Sequence, residues 1–251
     1  MNLERENVTQ ANRSEASGQS TQKIVVGTSL LKRNDEQAHK LRENFSQKSI
    51  LVVNLLSSPG SGKTSLLEKT LIDLQKKIRM GVVVGDLQTD RDAQRLQNRG
   101  AGVVAITTGT VCHLEAAMVS RSLSSLDLDS LDLLFIENVG NLVCPARFDL
   151  GEDYRIVILS TTEGEDKPLK YPFIFQSANL VLINKMDLAE LADFNMDVAC
   201  ENIKMVAPQA MIIPISVKKG LGLADWYQWL LKHYETKKEY PINKFAEAVR
   251  H

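Results

Sequence analysis

The sequence predicts an α/β fold, a mostly parallel sheet of about seven strands with helices on both faces. Three observations carry this. Short apolar runs recur along the chain, helical periodicities separate them, and the polar motifs with chemical potential fall at the ends of the apolar runs. Runs without polar alternation are strands buried on both faces, as in a parallel sheet covered by crossover helices.

Element by element, Met1–Thr21 is rich in Asn, Glu, Gln and Ser, too poor in large apolar side chains to offset chain entropy, and is expected to be disordered. The polar tail is drawn as residues 1–33. Asn34–Phe45 has helical spacing, with Ala38, Leu41 and Phe45 on one face. The strands are Ile50–Leu56, Gly81–Gly85, Val103–Thr107, Leu131–Glu137, Arg155–Ser160, Leu180–Asn184 and Met211–Ser216. Between most of them lie helical stretches, Ser65–Lys77, Arg91–Gln97, His113–Leu123 and Asp193–Val206. Leu223–Tyr234 closes the domain, which spans 34–235, and residues 236–251 form a loosely held tail.

Composition excludes several function classes. With 30 Lys plus Arg against 31 Asp plus Glu there is no basic field for nucleic acid. No apolar run reaches the ~18 residues that span a bilayer, and the first residues lack a signal-peptide core. Three widely spaced cysteines do not make a disulfide framework, so a reducing, cytoplasmic setting is expected.

In an open parallel sheet ligands bind at the carboxyl ends of strands. The first strand runs into Ser57-Ser58-Pro59-Gly60-Ser61-Gly62-Lys63-Thr64 and then a helix. This is the context of a phosphate-binding loop, with Ser57 where the usual pattern has its first glycine. Such a loop makes the domain a P-loop NTPase with a Rossmann-like sheet. Pro59, Gly60, Ser61, Gly62 and Ser65 belong to the cradle of backbone N–H groups, Lys63 reaches the β- and γ-phosphates, and Thr64 ligates Mg²⁺. Asn184-Lys185-Met186-Asp187 ends a later strand. The Asp187 carboxylate can accept from both N–H donors of guanine, which adenine does not offer, so the nucleotide is GTP or GDP. Lys185 lies along the base, Asn184 ties the two loops, and Ser216, Val217 and Lys218 complete the base site at the next strand end. Asp86 and Glu137 end two further strands and can hold Mg²⁺ or orient water. Asp86 is favoured as water-orienting residue and Glu137 as the Walker-B-type acid, although spacing does not assign the roles.

Cys112-His113 and Cys144-Pro145 also follow strands. Two thiolates and an imidazole suit Ni²⁺, Zn²⁺ or Cu rather than Mg²⁺. On composition alone, small buried thiols and a capping histidine are the commoner fate of such residues. Cys200, inside a helical stretch, reads as a core packer.

Together these segments resemble the hydrogenase nickel-incorporation GTPase family, the HypB family. The matching stretches are Asn54–Thr64, Gly85–Asp90, Cys112-His113-Leu114, Glu137-Asn138-Val139-Gly140-Asn141-Leu142-Val143-Cys144-Pro145 and Asn184–Asp187, within residues 34–235. The resemblance implies a GTPase of the signal-recognition and MinD class (SIMIBI) that forms a homodimer on GTP binding. It also implies Ni²⁺ or Zn²⁺ on Cys112, His113 and Cys144, and nickel delivery to a hydrogenase large-subunit precursor with a HypA-type metallochaperone. Residues 1–33 carry neither Cys nor His, so the family's tight N-terminal nickel motif and its histidine-rich store are not expected here. The rival readings are a urease-accessory nickel GTPase, whose metal motif is Cys-Pro-His, a small-molecule phosphotransferase, and a metal-binding module that a nucleotide merely locks.

Overall fold

The computed structural model describes residues 26–239. All seven strands pair in parallel in one sheet, in the order β3-β2-β4-β1-β5-β6-β7. They run Leu51–Ser57 (β1), Met80–Asp86 (β2), Ala101–Thr107 (β3), Leu133–Glu137 (β4), Tyr154–Ser160 (β5), Leu180–Asn184 (β6) and Met211–Pro214 (β7). The helices are Val26–Gln47 (α1), Lys63–Leu74 (α2), Arg91–Leu96 (α3), Ala116–Ser122 (α4), Lys167–Lys170 (α5), Pro172–Gln176 (α6), Met196–Val206 (α7) and Leu223–Glu239 (α8).

Strand β1 lies at the centre with every residue buried, which is why its sequence shows no alternation. Its Leu51, Val53 and Leu55 face a core shared with Leu67 and Leu71 of α2 and Trp226 and Leu230 of α8. On the other side, Val52 meets Ala38, Leu41 and Phe45 of α1, and Leu56 meets Ile174, Phe175 and the α7 residues Ala199 and Ile203. Each such fully buried Leu or Ile contributes about 1.5–3 kcal/mol. A polar residue, Asn54, sits inside β1. It is tolerated because Nδ2 donates to Glu152 and Oδ1 accepts from Asn138.

Several boundaries differ from the sequence reading. Helix α1 begins at Val26, inside the segment read as tail, and α8 continues past Tyr234 to Glu239. The remainder of both tails lies outside the described residues. Helix α4 starts at Ala116 rather than His113, which leaves Cys112 and His113 in a loop. The short helices α5 and α6 were not expected. Pro168 and Pro172 stand in their first turns, where a missing N–H costs nothing.

Candidate functional site

The loop after β1 must turn sharply before α2, and Gly60 (φ 73°) and Gly62 (φ 105°) supply the left-handed backbone. A Cβ on Gly62 would lie 2.4 Å from Asn184 Nδ2. Lys63 and Thr64, the first residues of α2, are both buried. Lys63 Nζ donates to Ser57 Oγ at 2.9 Å, and Thr64 Oγ1 donates to Glu137 Oε1 at 2.7 Å. Burial lowers the Lys63 pKa, against the opposing pull of Glu137. Burial also pushes the Glu137 carboxyl up to about 7, with Lys63 and the Thr64 hydroxyl opposing it. Its second oxygen, Oε2, is buried without a hydrogen-bond partner among the described residues. Asp86 Oδ1 accepts the backbone N–H groups of Gln88 and Thr89 at 2.9 and 2.8 Å. Partial burial raises the Asp86 pKa, but these bonds and Lys63 outweigh it and hold the group below its ordinary value. Pro59, Gly60, Gly62, Lys63, Thr64, Ser65, Asp86 and Glu137 line one cavity of about 420 Å³.

The residues expected to read the base meet the loop that lines this cavity through Asn184. Asn184 Nδ2 donates to the Ser61 carbonyl at 2.8 Å, and its Oδ1 accepts from Val217 N at 3.3 Å. Lys185 takes a left-handed turn (φ 63°) whose carbonyl accepts from Thr161 Oγ1. Asp187 Oδ1 accepts from the buried Ser216 hydroxyl at 2.5 Å, and this bond lowers its pKa, with exposed Lys218 adding to the effect. Asp187 is therefore an ionised acceptor, as two guanine donors require.

Cys112, His113 and Cys144 form a third group. The topology brings them together, since the β3–α4 and post-β4 loops rise from the same end of the sheet. Their donor atoms all lie within 4.8 Å of one another. The Cys112 and Cys144 sulfurs are 2.7 Å apart, well beyond a disulfide bond of about 2.05 Å, and both are free thiols. The His113 ring stacks on Phe148 at 3.8 Å, and neither ring nitrogen has a hydrogen-bond partner. Its Nε2 is 3.7 Å from the Glu115 carboxylate, outside hydrogen-bond range. Burial lowers the His113 pKa, with Glu115 opposing, which favours the neutral, ligating imidazole. Cys200 lies apart on α7 and is only half-buried, so it is not the core packer expected, a place that Ala199 and Ile203 of the same helix take.

Sequence reasoning missed the residues that join these groups. Glu163 accepts from Ser58 Oγ and Ser61 Oγ, both at 2.6 Å, so Ser61 turns its side chain away from the cavity. Its signal was the capping box Ser160-Thr161-Thr162-Glu163. Asn138 Oδ1 accepts from Leu114 N at 3.2 Å, tying the segment after Glu137 to the His113 loop. Gly140 packs against the phosphate loop so closely that a Cβ would come 2.9 Å from Pro59 Cα. Arg95 and Asp92 also line the cavity, and Arg95 donates to Ser65 Oγ and Glu68. The segment Glu137–Cys144 thus runs from this cavity, across the loop after β1, to a thiol that could ligate a metal.

A family model described as the CobW/HypB/UreG nucleotide-binding domain matches residues 51–214. The hydrogenase maturation factor HypB of Azotobacter vinelandii is 44% identical over 239 residues, 95% of this chain and 79% of that relative. The hydrogenase/urease maturation factor HypB of Helicobacter pylori is 42% identical over 213 residues, 83% of this chain and 87% of the relative. A crystal structure of HypB from Helicobacter pylori in complex with nickel superposes with a TM-score of 0.78 at 43% identity, covering 83% of this chain and 97% of that one. HypB from Archaeoglobus fulgidus gives 0.76 at 39% identity, covering 81% and 99%.

Proposed function

We take as premise that this chain belongs to the CobW/HypB/UreG family of nucleotide-binding proteins, and from it we propose a GTP-hydrolysing nickel metallochaperone for the [NiFe]-hydrogenase precursor. The nickel is cargo, held on Cys112, His113 and Cys144. Zn²⁺ fits the same donors. The observation that carries the reading is the clustering of these three donors at the end of a segment that starts in the phosphate cavity.

The phosphates of GTP rest on the backbone of Pro59–Thr64 and on Ser65, with Lys63 turning from Ser57 to the β- and γ-oxygens. Glu137 Oε2 and the Thr64 hydroxyl fit a hard, oxygen-seeking cation, since one is a buried oxygen without a partner and the other already touches the same carboxylate. Bound there, Mg²⁺ would neutralise charge on the transferred phosphoryl group. Asp86 keeps Oδ2 clear of its two backbone bonds and orients the attacking water. Asp187 selects guanine, Lys185 covers the base, and Ser216, Val217 and Lys218 close that pocket. GTP binding favours a cytoplasmic homodimer, and a HypA-type metallochaperone and the hydrogenase large-subunit precursor are the partners on either side of nickel transfer. The double name of the Helicobacter relative keeps urease maturation as a second recipient. However, adjacent Cys112 and His113 are not the Cys-Pro-His of the urease-accessory proteins.

The test is a nickel titration with GDP and with a non-hydrolysable GTP analogue. The two affinities are expected to differ by about 5–150-fold, the range of ordinary coupling free energies. The Cys112→Ala/Cys144→Ala variant should lose most nickel binding. Equal affinities in both nucleotide states, or full binding by the double variant, would overturn the reading.

A further inference from the structure

Asn34 of α1 is buried, at 6% exposure, and its amide spans the two loops that carry the metal donors. Oδ1 accepts the backbone N–H of Ala116 at 2.8 Å. Nδ2 donates to the carbonyl of Asp149, also at 2.8 Å. One neighbour is a donor and the other an acceptor, so the amide has a single satisfied orientation. Ala116 opens α4 just after His113-Leu114-Glu115. Asp149 follows Phe148, whose ring stacks on His113. One planar amide therefore sets the separation between the segment holding His113 and the segment that runs from Cys144 to Phe148. The rest of α1 reinforces the second contact. Arg42 pairs with the Asp149 carboxylate at 2.6 Å, and Gly151 (φ 82°) lies where a Cβ would come 2.8 Å from the Ala38 carbonyl.

We propose that Asn34 is a positioning residue for the metal corner, fixing the spacing of its donors while touching neither metal nor nucleotide. The inference rests on Cys112, His113 and Cys144 being the ligands. An apolar side chain would fill the same space but leave the Ala116 N–H and the Asp149 carbonyl without the partner the amide supplies. What an apolar residue cannot do is hold two backbone groups on separate loops at a fixed distance. Groups one shell out from a metal do this for its ligands, and their loss typically weakens binding about 10–100-fold. The His113 nitrogens have no hydrogen-bond partner among the described residues, so apart from the Glu115 carboxylate 3.7 Å from Nε2 the Phe148 stack and the loop backbone orient the ring.

The experiment measures Zn²⁺ and Ni²⁺ dissociation constants and GDP affinity on the full chain, for wild type, Asn34→Ala, Arg42→Ala and Cys112→Ala. Asn34→Ala is expected to weaken both metals about 10–100-fold with GDP affinity within about twofold of wild type. Arg42→Ala, which loosens the same Asp149 contact from the solvent side without opening the core, should weaken them by no more than about fivefold. Metal affinity of Asn34→Ala within about threefold of wild type, with Cys112→Ala strongly weakened, would overturn the positioning role while leaving the ligand set intact. GDP affinity falling in step with metal affinity would reduce Asn34 to a general stabiliser and overturn it equally. Wild-type metal binding by Cys112→Ala would remove the ligand assignment itself, and this inference with it.

Discussion

Two regions at the same end of the sheet are built in opposite ways. Around the nucleotide cavity the polar side chains already have partners, Lys63 with Ser57, Thr64 with Glu137, Asn184 with Ser61 and Asp187 with Ser216. At the metal corner the two thiols touch each other, and the imidazole nitrogens have no hydrogen-bond partner among the described residues, the Glu115 carboxylate standing 3.7 Å from Nε2. Their placement comes from outside, through Phe148 and the α1 amide of Asn34. A triphosphate has a constant shape, so a cavity preformed by internal bonds can take it by local exchange of partners, as when Lys63 leaves Ser57. A cargo ion must leave again, and donors held by neighbouring elements can be moved by moving those elements. Glu137 Oε2 is the exception that proves informative, a partnerless atom inside the preformed region.

The sharpest way to break this contrast is Lys63→Ala. Phosphate release should fall about 10²–10³-fold, while nickel affinity of the nucleotide-free protein stays within about twofold. A parallel loss of nickel binding would mean the two regions are one. Next in size is Asp187→Asn, which removes the ionised acceptor for two guanine donors. GTP affinity should drop on the order of 100-fold and xanthosine triphosphate should gain, read by nucleotide titration. Unchanged GTP binding would remove the base site from the preformed region. The smallest effect comes from Glu137. Its carboxyl, ordinarily at 4.5, is raised to about 7 by burial, so between these values the folded chain binds a proton that the unfolded chain has released. That contribution to stability is full below the lower value and is lost as pH rises through the upper one. The nucleotide-free protein should lose about 1 kcal/mol, or about 2–4 °C in melting temperature, between roughly pH 6 and pH 8. Glu137→Gln should flatten that difference. A pH dependence unchanged in the Gln variant would show that Glu137 is not the strained member of the cavity.

The legibility of the two regions in sequence differs for the same reason as their construction. Strands buried on both faces announce themselves as uninterrupted apolar runs, and every one of the seven expected strands is present, with ends shifted by a few residues at most. The expected nucleotide motifs, Ser57–Thr64 and Asn184–Asp187, are contiguous and so can be read from spacing alone. The metal donors were legible as residue types, and their meeting follows from strand order, which single-sequence periodicity does not encode. What stayed hidden are long-range polar contacts made by ordinary-looking residues. Asn34 reads as a helix start, Gly140 as a turn, and Glu163 as a charge on a loop, because their partners lie far along the chain. The start of α1 at Val26 was hidden for another reason, since Val26, Gly27, Thr28 and Ser29 are residues of low helix propensity.

Gly62 admits Asn184 only because it has no side chain, and the Asn184 amide closes on Ser61 from 123 residues away. Seen along the ribosome, the phosphate cradle is made early and its latch late. Strand β1, flanked in the finished sheet by β4 and β5, emerges before either neighbour exists. On the proposed function, a nascent chain that has passed β4 has the phosphate loop but not yet the residues proposed to read guanine. Those come only with β6, after most of the domain has been made, so selectivity for the nucleotide would be among the last properties the growing chain acquires.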